Sequence, residues 1–269
     1  MQVQSLVSIQ EIRAAAAALA GVAVRTPLMP FPGTDPALLL KPESLQPTGA
    51  FKLRGAYAAM NTLPAAARER GVITHSSGNH GLAVAYAAAL LQMPAIVVVP
   101  EDAAPVKVAA IRALGAEIVI SAPNLAARLA ATRDLAAQRG AVSIPPFDDR
   151  RVIAGQGTVG LEIAADSPSV DLVVVPVGGG GLISGVAAAV RALRPDAAII
   201  GVEPALAADA RDSLHEGHPV AWPSSATHRT IADALRVDQI GTLPCSTCWS
   251  WWTTSSRSPR TRSGRRSAG

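Results

Sequence analysis

Residues 72–100 read VITHSSGNHGLAVAYAAALLQMPAIVVVP. The short run VITH meets a polar, glycine-containing turn, SSGNHG. An alanine-rich run follows, Pro94 interrupts it, and AIVVV closes the stretch. Residues 81–100 carry no charge over the length of a membrane span. Pro94 divides that length into a helix-like half and a short Ile/Val half, which reads as a buried helix feeding a buried parallel strand. The same grammar recurs along the chain. AIVVV leads into a helical run from Ala104 to Leu114, EIVIS into one from Asn124 to Arg139, DLVVVPV into LISGVAAAVRAL, and AAIIGVE stops at Pro204. Short apolar strands alternating with helices of this length predict an α/β fold with parallel sheets flanked by helices. Residues 143–152, SIPPFDDRRV, read as a crossing between two domains, and no internal repeat is evident.

A chain of 269 residues, 49% hydrophobic and only 16% charged, can bury a substantial core and does not read as disordered. With 3% aromatics, that core is expected to be built from Ala, Val, Leu and Ile. MQVQSLVSIQ lacks the basic-then-apolar order of a secretory leader, so a cytoplasmic setting without a membrane partner is expected. The net charge of +4 is local: residues 245–269 hold five arginines and no acid, which leaves the preceding chain near neutral. Both cysteines, Cys245 and Cys248, lie in the same tail.

In parallel α/β folds ligands sit beyond the carboxyl ends of strands, in the strand-to-helix turns. VPVGGGGLISG, residues 175–185, offers one such turn: Gly178, Gly179, Gly180 and Gly181 leave amides unshielded at a helix start, an anion cradle or else simply a tight turn. In SSGNHG, Ser76, Ser77 and Asn79 could hold a carboxylate or a ring oxygen, or cap a helix, and His80 reads as structural. Glu203 and Asp209 could flank a hard cation, or start a solvated helix. The stretch SLQPTGAFKLRGA, residues 44–56, contains Lys52. Only three of the 24 basic residues are lysines, namely Lys41, Lys52 and Lys107. A solvated cation could as well have been arginine; an amine that must lose its proton and form a carbon–nitrogen bond could not. An exposed lysine at a helix start is the alternative for Lys52 alone. Together, a lysine amine, a glycine phosphate cradle and a Ser/Asn loop are the parts needed to hold pyridoxal phosphate and an amino acid.

The ordered set KPESLQPTGAFKLRGA, THSSGNHG, VPVGGGGLISG, GVEPALAAD and TIADALR resembles the serine/threonine dehydratase and serine racemase family, pyridoxal-phosphate enzymes of the tryptophan-synthase-β fold (fold type II). The resemblance runs from about residue 5 to residue 244. It implies a large domain from residues 1–46 and 149–244 and a small α/β domain from 47–148. It further implies that Lys52 links to the cofactor aldehyde and removes the substrate α-proton, and that Phe51 packs near the cofactor ring. Asn79 would bond the ring oxygen, and Gly178–Gly181 the phosphate. Ser76, Ser77, Asn79 and His80, mainly through the loop's amides, would hold the substrate carboxylate. In the racemase branch the residue at Ser77 is a second acid/base, and Glu203, the Ala207 carbonyl and Asp209 bind a divalent ion such as Mg2+, Ca2+ or Mn2+. The expected reaction converts L-threonine or L-serine to 2-oxobutyrate or pyruvate plus ammonia, with racemisation or 3-hydroxyaspartate cleavage as alternatives; a homodimer is expected. One position departs from the family: Ala234 stands where glycine is usual.

The tail, CSTCWSWWTTSSRSPRTRSGRRSAG, departs from both the family and the rest of the chain. A Cys-x-x-Cys site lacks a second ligand pair, and the basic run alone does not carry a nucleic-acid role. Because Trp has a single codon, Trp252-Thr253 reads Val-Asp in a frame displaced by one base. With permissible codons, residues 245–266 can read VLDVLELVDDVVTVSEDAIRAA, which looks like the family continuation. The tail is therefore expected to be a frameshift product or a sequencing error, disordered, in a truncated chain that is either weakly active or catalytically dead.

Overall fold

The structure, a computed structural model, describes residues 7–35, 38–76, 78–251 and 253–254, with side chains as far as Ser246. The chain opens with α1 (Ile9–Ala18), started by a reciprocal cap between Ser8 and Glu11, and with the antiparallel pair β1 (Met29–Phe31) and β2 (Leu38–Leu40). Next come α2 (Lys52–Asn61), α3 (Ala65–Arg70), β3 (Val72–His75), α4 (Asn79–Leu91) and β4 (Ala95–Pro100). They are followed by α5 (Pro105–Ala113), β5 (Glu117–Ser121), α6 (Leu125–Arg139) and β6 (Val142–Ser143). The four strands make one parallel sheet in the order β5-β4-β3-β6. The stretch without charge is thus α4 and β4, as the sequence predicts.

Every residue of β4 is buried because both faces of the sheet are covered. Val97 and Val99 pack with Ile111 of α5 and the alanines of α4; Ile96 and Val98 pack toward Leu135 of α6.

The second sheet contains β7 (Leu172–Pro176) and β8 (Ala198–Val202), parallel and joined by α8 (Gly181–Leu193). Val173, Val175 and Ile199 face α8, whereas Leu172, Val174 and Val202 on the alternate positions are exposed. Between the sheets runs α7 (Arg150–Asp166), capped by Asp149. Its glycines let neighbouring helices come to backbone contact. A Cβ on Gly155 would lie 2.5 Å from the Arg54 carbonyl, and one on Gly160 would lie 2.8 Å from that of Val186. Glycine is required here for close approach, so α2 and α8 both lie directly against α7.

The C-terminal part adds α9 (Asp209–Glu216), α10 (Ser224–Thr227), α11 (Thr242–Trp251) and β9 (Thr253–Thr254). The described structure continues past residue 245 as far as Thr254. Asp148 accepts hydrogen bonds from the Thr242 and Leu243 amides and so starts α11; Cys245 is buried in the β7–β8 core, and β9 pairs in parallel with β8. Burial raises the Cys245 thiol pKa, which suits a packed rather than a reactive sulfur. Residues 255–269 and the Cys248 side chain lie outside the described residues. Among the described residues no helix is long and apolar enough to cross a membrane.

Candidate active site

The segment between β6 and α7 connects the motifs that the sequence singled out. The Ile144 carbonyl accepts from Thr74 Oγ1 at 2.8 Å and bonds His80 Nε2 at 2.9 Å, which ties the start of α4 to it. The Pro146 carbonyl accepts from Lys52 Nζ at 2.8 Å. The Phe147 ring covers the glycine turn: a Cβ on Gly179 would lie 2.1 Å from the ring, and one on Gly181 would lie 2.9 Å from the Phe147 Cβ. Asp148 caps α11. Lys52, the SSGNHG turn and Gly178–Gly181 therefore converge on residues 144–148.

Lys52 is the first residue of α2, not the exposed lysine that its position alone allowed. Its side chain is only partly accessible, and its amine lies 5.2 Å from the centre of the Phe51 ring. Burial lowers the amine pKa from 10.5 to about 8, so a neutral amine is within reach near physiological pH. His80 is buried, and burial first, then the nearby Lys52 charge, push its pKa down to about 3. It is a neutral imidazole held on the Ile144 carbonyl, with Nδ1 unpartnered among the described residues.

Three helices start at this place without a side-chain cap: α2 after Phe51, α4 after Gly78 and α8 after Gly180. At α4 this excludes the simple cap reading of Ser76 and Asn79. Ser76 Oγ instead accepts from the Gly78 amide at 3.3 Å, and the Asn79 side chain has no hydrogen-bond partner among the described residues. Ser77 lies outside the described residues. At α8, Gly180 has φ +85°, which favours glycine, and Ser184 Oγ donates to the Gly180 carbonyl rather than capping the amides. An uncapped helix start beside a desolvated lysine fits a phosphate-bearing aldehyde: amides and dipole for the phosphate, the amine for the carbonyl carbon. Ala234 lies in a short 3-10 turn, its carbonyl 3.7 Å from where a Gly178 Cβ would be.

The acidic pair follows β8, the strand that pairs with β7 ahead of the glycine turn. Glu203 accepts from the Ala210 and Arg211 amides at 3.0 and 2.9 Å and so caps α9 from outside the helix. Asp209 is 0% exposed and neither carboxylate oxygen has a hydrogen-bond partner among the described residues, which overturns the solvated-helix-start reading. Burial raises both carboxyls to about 7, and the neighbouring Glu203 adds to the shift at Asp209. Ala207 is buried beside them, and among the described residues no group of three His, Cys, Asp or Glu could hold a metal.

The other two lysines have different partners. Lys41 pairs with Glu162 at 2.6 Å inside the protein, and Lys107 makes an exposed pair with Asp233 at 3.1 Å.

A desolvated lysine at one helix start and an uncapped glycine turn at another fit the parts that pyridoxal phosphate requires. Residues 19–252 match the family model described as "Pyridoxal-phosphate dependent enzyme", and the chain belongs to that family. It is 46% identical over 204 residues to an L-threonine ammonia-lyase of Geobacter sulfurreducens, covering 76% of this chain and 50% of the relative. It is 39% identical over 232 residues to a serine racemase of Oryza sativa subsp. indica, covering 85% of this chain and 68% of the relative. The structure of maize serine racemase superposes with a TM-score of 0.89 at 37% identity, over 93% of this chain and 76% of that one. The chain thus spans about half the length of the threonine ammonia-lyase it matches. These likenesses fit the two-domain α/β architecture of fold type II that the sequence motifs imply.

Proposed function

We propose that this chain carries the catalytic centre of a pyridoxal-phosphate-dependent ammonia-lyase that converts L-threonine, L-serine or both to 2-oxobutyrate or pyruvate plus ammonia. The observation that carries the reading is the Lys52 amine, desolvated to a pKa of about 8 and directed at the Pro146 carbonyl beside the uncapped start of α8. When bound, the cofactor supplies an electron sink for the bond broken at Cα. The rest is the work of the chain's own residues. Lys52, neutral in a useful fraction near pH 8, would hold the cofactor through its aldehyde carbon with loss of water and, once displaced by the substrate amine, would accept the α-proton. The amides of Gly178–Gly181 and the start of α8 hold the phosphate. Ser76, Ser77 and the amides through Asn79 and His80 hold the substrate carboxylate, with the Asn79 side chain left for the ring oxygen. Phe51 packs below the amine, against the ring. Neutral His80 fixes the α4 turn on Ile144 without adding a competing charge.

The domain division at residues 1–46, 47–148 and 149–244 belongs to the same proposal, as do a homodimer and a cytoplasmic location. The Glu203 and Asp209 carboxylates with the Ala207 carbonyl form a hard-oxygen set for Mg2+, Ca2+ or Mn2+, and a cation there would relieve the unpartnered Asp209. Serine racemisation is the second reading, supported by the likeness to the rice and maize enzymes and dependent on Ser77 as the opposing acid/base. Keto-acid release measured against D/L-serine interconversion, with Lys52→Ala as control, separates the readings. Purified chain that binds pyridoxal phosphate but shows neither activity would leave the catalytically dead reading. The nucleotide sequence across codon 244 tests the displaced frame: a frame that closes at once with stop codons removes it.

A further inference from the structure

Arg54 is 1% exposed, the largest fully buried side chain among the described residues, and lies two positions beyond Lys52 on α2. Residues two apart on a helix project roughly 200° apart, so Arg54 leaves the face opposite Lys52. Its fork is filled on every side. Nε donates to Glu43 Oε2 at 2.8 Å, and Nη1 donates to Glu162 Oε1 at 2.6 Å and Thr158 Oγ1 at 3.1 Å. Nη2 donates to Glu43 Oε1 at 2.9 Å, Glu162 Oε2 at 3.0 Å and the Val24 carbonyl at 3.0 Å. Both carboxylates are therefore gripped through two oxygens, a geometry that lysine cannot reproduce.

The surrounding ring is closed and charge-balanced. Lys41 pairs with Glu162 at 2.6 Å, Thr26 Oγ1 donates to Glu43 at 2.7 Å, and Gln46 Nε2 donates to Glu43 at 3.1 Å and to the Val24 carbonyl at 2.7 Å. Two cations face two anions. One position further along α2, the Gly55 amide donates to Gln156 Oε1 at 3.1 Å, and a Cβ on Gly155 would lie 2.6 Å from the Gly55 Cα. The first turn of α2 is thus fixed to α7 in depth by glycine contact and in rotation by the Arg54 fork. A stability role alone does not require this chemistry, because a buried ion-pair cluster is often no better than apolar packing of the same shape. What a bidentate fork adds is direction.

We propose that Arg54 is a positioning residue for the Lys52 amine: gripping Glu43 and Glu162, it sets the rotation of α2 that presents Lys52 to the Pro146 carbonyl. This rests on Lys52 being the reacting amine, as proposed above. The test therefore has a readout that needs no turnover. In full-length protein freed of cofactor, trace acylation of Lys52 followed by peptide mass spectrometry gives the pH profile of that amine. His80 of α4 is the titratable neighbour that the Lys52 charge holds down, and it stays neutral across the range. Arg54→Lys retains the charge and loses the fork; Glu43→Gln and Thr158→Val each weaken one grip and serve if Arg54→Lys does not fold. Ile111→Ala, in the core at α5, is the control for plain loss of stability.

The expected result is that the Lys52 profile moves from an inflection near 8 toward the ordinary lysine value in the fork variants but not in Ile111→Ala. In the loaded enzyme the fork variants should lose kcat at least tenfold with KM within about threefold, the pattern of a misplaced reacting group. Folded fork variants with lower melting temperatures and a wild-type Lys52 profile would overturn the proposal. So would an equal shift in Ile111→Ala. A wild-type chain without lyase or racemase activity would defeat the functional reading and leave the labelling comparison intact.

Discussion

Holding Lys52 ready for chemistry has a stability cost that can be measured. Burial lowers its amine from 10.5 to about 8, so below pH 8 the folded chain keeps an ammonium where it prefers a neutral amine. At about 1.4 kcal/mol for each tenfold change in proton affinity, that is a penalty of ~3 kcal/mol. Lys52→Met keeps most of the side chain's volume and removes the charge, but forfeits the hydrogen bond to the Pro146 carbonyl, ~1 kcal/mol. Lys52 is also partly accessible, which screens some of the charge. The net expectation is a gain of about 1–2 kcal/mol in cofactor-free protein at pH 7, which raises the melting temperature by ~2–8 °C. The sign with pH is fixed. An amine with a depressed folded pKa binds fewer protons folded than unfolded between 8 and 10.5. Wild-type stability therefore rises relative to Lys52→Met across that window, and the advantage of the methionine fades by pH 10.5. Melts followed by circular dichroism at pH 7, 9 and 10.5 read this directly. A variant no more stable than wild type at pH 7, or an offset that does not change with pH, would refute the account of a desolvated, function-ready amine.

Three further outcomes are expected. Gly155→Ala places a methyl 2.5 Å from the Arg54 carbonyl, so the α2–α7 contact must open by about 1 Å; a loss of ~1–3 kcal/mol in urea unfolding checks it. Gly179→Ala drives a methyl into the Phe147 ring 2.1 Å away, and cofactor affinity read by fluorescence titration should fall about tenfold or more, ~1.4 kcal/mol, as the turn shifts. Asp209 and Glu203 are acids with raised pKa values, so the metal-free chain binds more protons folded than unfolded. The contribution of these two groups to stability is greatest at low pH and is lost as pH rises from about 4 through about 7. Asp209→Asn should flatten that slope in melting temperature against pH, and millimolar Mg2+ should protect wild type but not the variant.

What was legible in the sequence followed from local rules. The parallel sheets could be read because Pro94 and the strand-to-helix turns punctuate runs whose periodicity is clear, and Lys52 stood out because arginine would have served any purely solvated role. The features that escaped depend on distant partners. The proline pair at 145–146 read as a crossing between domains. Nothing local shows that the Pro146 carbonyl meets Lys52, 94 residues away, or that Phe147 covers the glycine turn. Asp209 looked like an ordinary helix-start carboxylate because burial of a single side chain leaves no periodic trace; only the fold places it at zero exposure next to Glu203. The tail from Cys245 looked unlike anything upstream, yet the helix that Asp148 starts at Thr242 runs on through Trp251, and Cys245 fills a core position. Composition was a poor guide because a cap and a few apolar contacts suffice.

Arg54 is the sharpest case. In a chain with 24 basic residues, an arginine after FKL attracts no notice, and the lysine two positions earlier takes all of it. The structure inverts the expected allocation. The arginine is the more deeply buried of the two, and Lys41, another of the rare lysines, lies in the ring that holds it. The physical reason is division of labour on one helical turn. An amine that must alternate between charged and neutral cannot also anchor the helix, because its bonds change with its protonation state. A guanidinium keeps its charge at every working pH and offers a rigid fork, so it can hold the helix's back while the amine at the front is used.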